Sequence, residues 1–170
     1  GHKPVRAVLI THSHIDHFGG IEGIVEDLPD AERDALRIIA PEGFLEEATS
    51  ENVIAGTAMS RRAMYMYGRR LERGERGHID SGLGKEPAFG RFGIRAPTEV
   101  IGQTPTRLEI DGLEFIFQNA PGSEAPAEFT FYLPALKAFC GAEVVSHTLH
   151  NLYTLRGAKV RDAQAWSAYI

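Results

Sequence analysis

Three histidines and an aspartate lie within six consecutive positions near the start of this 170-residue chain, as His12, His14, Asp16 and His17. Side chains two positions apart on an extended chain point to the same side, so the first two histidines can hold one cation together. The adjacent Asp16 and His17 can face a second cation beside the first if the chain turns there. Imidazole nitrogens with one carboxylate form a ligand set that suits zinc, and also iron or manganese. The spacing therefore predicts a metal site.

A strand must bring this motif to its place. Residues 5–10 are apolar and rich in β-branched side chains, which predicts a short buried strand directly before the motif. Gly19 and Gly20 follow the motif and permit a tight turn. A histidine-rich surface loop, the alternative interpretation, does not account for the buried strand before the motif or the apolar stretch after it. The motif is thus expected at the C-terminal end of a strand, where α/β folds place their chemistry.

The order His-x-His-x-Asp-His at residues 12–17 resembles the signature of the metallo-β-lactamase superfamily. The resemblance implies an αββα sandwich with a site for one or two metal ions at one edge. By itself this motif indicates the superfamily and leaves the substrate open.

The composition is that of an ordinary globular protein, with 43% hydrophobic and 24% charged residues. The formal net charge of -5 gives no electrostatic support to a nucleic-acid partner. No apolar run is long enough to span a membrane. Cys140 is the single cysteine, which excludes a disulfide framework, and its apolar neighbours predict a buried, inert thiol. We interpret residues 1–170 as an internal portion of one catalytic domain, truncated at both ends.

The first half of the chain predicts alternating strands and helices, which is typical of an α/β fold. A helix is expected over 21–28 and a second buried strand over 36–40. Pro41 is expected in the first turn of the next helix, which runs to residue 47. A further helix is predicted over about 55–71.

After a long irregular loop over 72–98, the hydrophobic period changes to that of strands. Asp111-Gly112 is a strong signal for a hairpin between two of them. A helix is predicted over 162–170. The predicted strands of this half are 98–101, 106–110, 113–117, 129–134 and 138–143.

Two acidic loops follow strands in this half, Pro-Gly-Ser-Glu at 121–124 and Gly-Ala-Glu at 141–143. In the metallo-β-lactamase superfamily, the third ligand of the first metal is usually a histidine after such a strand. The ligand that bridges the metals is usually an aspartate after a later strand. Here Glu124 and Glu143 occupy these points. Taken alone, Glu124 would be interpreted as a surface-loop carboxylate and Glu143 as a strand-end carboxylate.

This substitution narrows the resemblance to one family. Residues 3–166 closely resemble the alkyl sulfatases of the superfamily, zinc-dependent enzymes that release sulfate from alkyl sulfate esters such as dodecyl sulfate. The motifs that carry this resemblance are Ala-Pro-Gly-Ser-Glu-Ala-Pro-Ala-Glu at 120–128, Tyr-Leu-Pro at 132–134, Ala-Glu at 142–143, Ser-His-Thr-Leu-His-Asn at 146–151 and Thr-Leu-Arg-Gly-Ala at 154–158.

The resemblance implies a set of metal ligands. One zinc ion would be bound by His12, His14 and Glu124. The second would be bound by Asp16 and His17, with Glu143 as the bridge and one more histidine beyond residue 170. Glu128 competes with Glu124 for the ligand role, and its neighbouring strand favours a structural or supporting role.

The chemistry expected of such a site uses a metal-bound water as the nucleophile and no protein nucleophile. Two cations about 3.5–4 Å apart lower the pKa of a water between them to about 7. Sulfate is a stable leaving anion that requires cationic recognition, and Arg156 is the candidate because a guanidinium matches an oxyanion. His147 and His150 could donate to sulfate oxygens or orient ligands. The alternative for Arg156 is a surface arginine at a helix end.

Two other functions remain open at this point. Another hydrolase of the same fold, such as a lactonase, thioesterase or phosphodiesterase, would be expected to carry histidine in place of Glu124. A zinc-binding module without catalysis belongs to a different class. The resemblance also implies a homodimer, formed through regions absent from this chain, and a periplasmic or secreted location.

Overall fold

A parallel three-stranded sheet forms the first half of the fold in the computed structural model, which describes residues 3–82, 84–85 and 90–170. Its strands are β1 (Ala7–Leu9), β2 (Arg37–Pro41) and β3 (Glu99–Ile101), in the spatial order β1-β2-β3. Val8 lies opposite Ile38, and Ala40 lies opposite Val100. Because the strands are parallel, their C-terminal ends lie at one edge of the sheet, and the histidine motif follows β1 at that edge.

Helices cover one face of this sheet. Phe18, Ile21, Val25, Phe44 and Ala48 are the buried residues of three of them, and they share a core with the sheet. Burial of these apolar side chains is the main force that holds the helices on the sheet. The helices are α1 (Ile15–Phe18), α2 (Ile21–Val25), α3 (Asp30–Asp34), α4 (Phe44–Thr49) and α5 (Gly56–Met66), with a π-helical turn at Ser50–Ile54 between the last two.

An antiparallel four-stranded sheet forms the second half. Asp111 and Gly112 join two of its strands with positive φ angles of 51° and 78°, which confirms the predicted hairpin. Inward-facing and outward-facing residues alternate along the strands, as expected for a sheet with one buried face. The strands are β4 (Thr106–Ile110), β5 (Leu113–Asn119), β6 (Phe129–Leu133) and β7 (Ala138–Cys140), in the spatial order β4-β5-β6-β7.

The two sheets share a second core. Ile39 and Ile101 of the first sheet pack with Phe117 and Phe129 of the second, and all four are almost completely buried. The order of layers is therefore helices, parallel sheet, antiparallel sheet, which corresponds to three of the four layers of the predicted αββα sandwich. A short last helix, α6 (Ala163–Ser167), buries Trp166 at the end of the second sheet. None of the helices in the described parts of the chain is long and apolar enough to cross a membrane.

Several predicted boundaries are wrong, and each has a local cause. Pro41 is the last residue of β2 and not the first turn of a helix, because α4 begins only after Gly43, whose φ is 79°. The strand predicted over 138–143 ends at Cys140, since Ala142 adopts a left-handed conformation with φ 48°. Cys140 is half-buried rather than buried.

The helix predictions agree in type and differ in extent. The helix predicted over 21–28 ends at Val25, the one over 55–71 ends at Met66, and the one over 162–170 spans Ala163–Ser167. The sequence analysis did not predict α1 and α3. The first has only four residues and the second has no buried residue, so neither shows the apolar period that identifies a helix.

Arg37 ties three strands and both sheets together. Its guanidinium donates to the Glu99 carboxylate at 2.5 and 2.8 Å, and its Nη1 donates to the Glu109 carbonyl of β4 at 2.8 Å. The hydrogen bonds from Arg37 hold the pKa of Glu99 below its ordinary value of 4.5. This contact lies at the N-terminal end of β2, at the opposite end of the sheet from the histidine motif.

We expect Arg37→Met to lower the free energy of unfolding at pH 7 by about 1 kcal/mol, because the pair is partly exposed to water. Glu99 has a lowered pKa in the folded protein, so its contribution is present above pH 4.5 and is lost as the pH falls through the folded value. Urea denaturation at pH 7 and pH 3 measures both effects. Arg107→Met, which removes an exposed ion pair with Glu114, is the control and should change little. Equal stability of Arg37→Met and the wild type at pH 7 would contradict this assignment.

Candidate metal centre

The histidine motif leaves β1 in an extended conformation that joins the two halves of the fold. The backbone of residues 11–13 pairs with residues 127–129, through Phe129 N to Thr11 O at 2.9 Å and Ser13 N to Ala127 O at 3.1 Å. His14 is still extended, and α1 begins directly after it. The predicted turn after His14 is therefore present as the start of a helix. Pairing with the segment before β6 brings the first motif next to the acidic loop, more than one hundred residues away in the chain.

Four predicted ligands form one cluster. The ligand atoms of His12, His14, Glu124 and Glu143 all lie within 4.8 Å of one another. The Glu124 Oε2 atom is 2.8 Å from His14 Nδ1 and 3.7 Å from His12 Nε2. The Glu143 Oε2 atom is 3.0 Å from His12 Nε2. The first three side chains are almost completely buried, so the cluster is closed to water on that side.

The donor atoms of this cluster fit a metal ion. His12 Nε2 and Glu124 Oε2 are buried and make no hydrogen bond of acceptable geometry, although charged groups lie close to both. Buried polar atoms without partners are costly, and a cation between them would satisfy both. Two imidazole nitrogens and two carboxylate oxygens are also the ligand types and number that a tetrahedral zinc site uses.

A second group of predicted ligands adjoins the first. Glu143 Oε2 is 3.0 Å from His17 Nε2, the same distance as from His12 Nε2 on its other side. Asp16 Oδ2 lies 3.4 Å from His17 Nε2. Asp16 and His17 are half-exposed, so this second group opens toward solvent. Glu143 lies between the two groups, which is the position that a bridging ligand requires, and its bridging role stays a prediction.

The histidines and carboxylates of the centre control each other's protonation. The close imidazole rings of His12 and His17 hold the pKa of Glu143 far below its usual value, against the effect of burial. Burial alone would lower the pKa of His17, but its hydrogen bonds to Asp16 and Glu143 raise it to about 10. Imidazole binds metals in its neutral form, so an ion that binds here must displace the proton of His17.

Glu128 supports both acidic loops. It is fully buried, and its Oε2 accepts hydrogen bonds from Ser123 Oγ at 2.8 Å and Ala125 N at 3.0 Å. Its Oε1 accepts from the backbone N–H of Glu143 at 3.1 Å. Burial raises the pKa of this carboxyl group. Both oxygens of Glu128 accept hydrogen bonds within the protein, whereas Glu124 Oε2 accepts none, so the geometry favours Glu124 over Glu128 as the ligand.

The three predicted substrate residues lie in different surroundings. His150 Nε2 is 3.5 Å from Glu124 Oε1, and its ring packs against Trp166. Arg156 is half-buried in a loop, where Nη1 donates to Glu51 Oε1 at 3.1 Å, so it is not a surface arginine at a helix end. His147 is exposed, and no contact joins it to the cluster in the described part of the chain. The structure thus brings two of the three candidates to the centre.

The sequence analysis missed two residues of the centre. Arg161 is buried and binds Glu124. Glu51 lies between Arg156 and His14, with its Oε2 at 3.8 Å from His14 Nε2. Arg161 belongs to no motif, and its only local feature is the helix N-cap that follows it at Asp162. Glu51 lies in the π-helical turn, a kind of structure that often occurs at functional sites but has no sequence signature.

Comparison with known proteins agrees with the family that the sequence motifs resemble. Residues 1–117 match the model of the metallo-beta-lactamase superfamily. The chain is 51% identical over 168 residues to a linear primary-alkylsulfatase of Pseudomonas sp. and 47% identical to an alkyl/aryl-sulfatase of Saccharomyces cerevisiae. Each match covers 99% of this chain and 25% or 26% of the relative. The chain therefore spans about a quarter of the length of these curated relatives.

The fold of this chain also matches that of a solved alkylsulfatase structure. The stereoselective inverting sec-alkylsulfatase of Pseudomonas sp. superposes with a TM-score of 0.89 at 44% identity. The match covers 99% of this chain and 26% of that one. The likeness extends over both sheets and both groups of predicted ligands.

We expect the metal content of the complete protein to separate the two groups of ligands. Asp16→Ala should keep one zinc ion and lose the other, because Asp16 contacts only the exposed group. Glu143→Ala should lose both, because its carboxylate contacts both groups. Glu114→Ala, on an exposed position of β5, is the control and should keep the wild-type content. Elemental analysis after dialysis measures the content, and full zinc occupancy in Glu143→Ala would contradict the shared ligand.

Proposed function

Because this chain belongs to the metallo-beta-lactamase superfamily, we propose that it forms part of a zinc-dependent hydrolase that converts alkyl sulfate esters to alcohol and sulfate. The observation that carries the proposal is the cluster of His12, His14, Glu124 and Glu143, in which two glutamates complete the histidine motif. The likeness of 99% of the chain to alkylsulfatases supports sulfate esters as the substrate class.

Two zinc ions bound by the residues of this centre would supply Lewis-acid charge and an activated water. The side chains of this chain would hold the ions and orient the groups around them. His12, His14 and Glu124 form the buried side, whereas Asp16 and His17 form the side open to solvent, where a substrate can enter. No serine, threonine or cysteine is needed as the nucleophile in this proposal.

In this proposal, the loop that carries His150 and Arg156 binds the sulfate group. His150 adjoins Glu124 and is held against Trp166, so its ring has a defined position next to the cluster. Arg156 is linked to His14 through the Glu51 carboxylate, which contacts both side chains. A guanidinium held in this way can turn its remaining N–H groups to an oxyanion in a bidentate manner. His147 is exposed and is the weakest of the three candidates.

The competing functions are less well supported. A lactonase, thioesterase or phosphodiesterase of this fold was expected to carry histidine in place of Glu124, and this chain has a glutamate buried among the other ligands. A zinc-binding module without catalysis would not require the half-exposed second group of ligands. Homodimerisation through parts of the protein outside this chain, and a periplasmic or secreted location, remain proposals that rest on resemblance alone.

We expect the complete protein to release sulfate from dodecyl sulfate, to lose this activity after chelation, and to regain it when zinc is added. Glu124→Ala should lower the activity by about 100-fold or more, since it removes a ligand from the buried side. Sulfate release measured by ion chromatography is the readout. Glu114→Ala, far from the centre, should keep full activity. Hydrolysis of a lactone or phosphodiester without sulfate release would refute the substrate, and zinc binding without turnover of any ester would refute catalysis.

A further inference from the structure

We propose that Arg161 is a positioning residue that makes Glu124 a one-oxygen metal ligand and holds it ready before the ion arrives. The inference rests on the proposed metal site and goes beyond it, because Arg161 contacts the backbone carbonyl and Oε1 of Glu124 and not the proposed ligand atom Oε2. The Arg161 and Glu124 side chains are only 4% and 3% exposed, so this is a buried ion pair.

Arg161 holds Glu124 at two points. Its Nε donates to the Glu124 backbone carbonyl at 2.6 Å, and its Nη2 donates to the carboxylate Oε1. Main chain and side chain of the same residue are therefore fixed by one rigid guanidinium. A lysine ammonium could carry the same charge, but it lacks the planar fork that reaches both acceptors.

The remaining oxygen of Glu124 has no such partner. Oε2 is buried, makes no hydrogen bond, and lies 2.8 Å from His14 Nδ1 and 3.7 Å from His12 Nε2. Carboxylates can bind a metal through one or two oxygens. Because Arg161 occupies Oε1, only Oε2 is free to bind an ion held by the two histidines.

Charge gives the pair a second effect. Glu124 lies near Glu128 and Glu143, so three carboxylates crowd a small and mostly buried volume. An unpaired carboxylate at this depth is costly, and it would tend to move away from its neighbours. The guanidinium of Arg161 lies directly against the Glu124 carboxylate and offsets its charge at a depth where water does not reach it. The ligand is therefore held in place before an ion binds.

Arg161 also connects Glu124 to the loop that carries His150. Its Nη1 donates to Asn151 Oδ1 at 3.0 Å, and its backbone N–H donates to the Leu152 carbonyl at 2.9 Å. The predicted ligand and the predicted substrate loop are thus held by the same residue.

The decisive experiment is a double-mutant cycle on zinc affinity in the complete protein, measured by competition with a chromophoric chelator. We expect Arg161→Met to weaken the binding of zinc by about 10–100-fold, the range typical of residues that orient ligands. In the background of Glu124→Gln, the same change should have little further effect, because Arg161 acts through Glu124. Equal losses in both backgrounds would overturn the proposal, since Arg161 would then act on the fold in general.

Arg161→Lys keeps the positive charge and removes the planar guanidinium, so it tests the geometry separately from the charge. This variant also provides a test if Arg161→Met fails to fold. Its zinc affinity should lie between those of the wild type and Arg161→Met. Wild-type affinity in Arg161→Lys would overturn the positioning role, because charge alone would then suffice.

Arg37→Met is the matched control, since Arg37 also holds a carboxylate and a backbone carbonyl, at the opposite end of the sheet. It should lower stability and leave zinc affinity unchanged. A loss of zinc affinity in Arg37→Met as large as that in Arg161→Met would overturn the proposal. Zinc binding does not depend on the substrate, so a protein that binds zinc in this pattern without releasing sulfate would refute the proposed function alone. A wild-type protein that binds no divalent ion would refute both.

Discussion

The centre of this protein depends on the crowding of negative charge around a buried histidine. Carboxylate oxygens of Glu124, Glu128 and Glu143 lie between 3.0 and 3.9 Å from the ring nitrogens of His12. Carboxylates this close repel each other, and those buried have lost their hydration. Such an arrangement persists only if cations and hydrogen-bond donors face the oxygens, and the surrounding structure supplies them for both oxygens of Glu128 and for one oxygen of Glu124.

The two glutamates on either side of His12 differ in how their oxygens are occupied. Glu128 receives hydrogen bonds from the chain on both oxygens and so acts as a brace between the acidic loops. Glu124 is held on one oxygen by Arg161, and its other oxygen faces the histidines without a hydrogen bond. The same chemical group thus serves as support in one place and as an open ligand position in the other, and the neighbouring donors make the difference.

The meeting of the two sheets explains why the ligands converge. The parallel sheet delivers the histidine motif at the C-terminal end of β1, and the antiparallel sheet delivers the glutamates at the ends of β5 and β7. The backbone pairing between residues 11–13 and 127–129 fixes the register of one half against the other. A core of Ile39, Ile101, Phe117 and Phe129 holds the sheets together beneath this edge. A shift between the sheets would therefore separate the ligands of the buried group.

The sequence by itself determined the features that depend on neighbours along the chain. The alternation of His12 and His14, the strand before them and the Asp111-Gly112 hairpin are properties of a few consecutive residues, and local geometry follows from their spacing. The resemblance of the motifs to a known family pointed to Glu124 and Glu143, which spacing alone would have left as loop carboxylates. Only the tertiary structure decided which oxygens are free, because Arg161 meets Glu124 across 37 positions and Arg156 meets Glu51 across 105. Contacts at such separations leave no local pattern, since they arise from the packing of the two sheets and the loops between them.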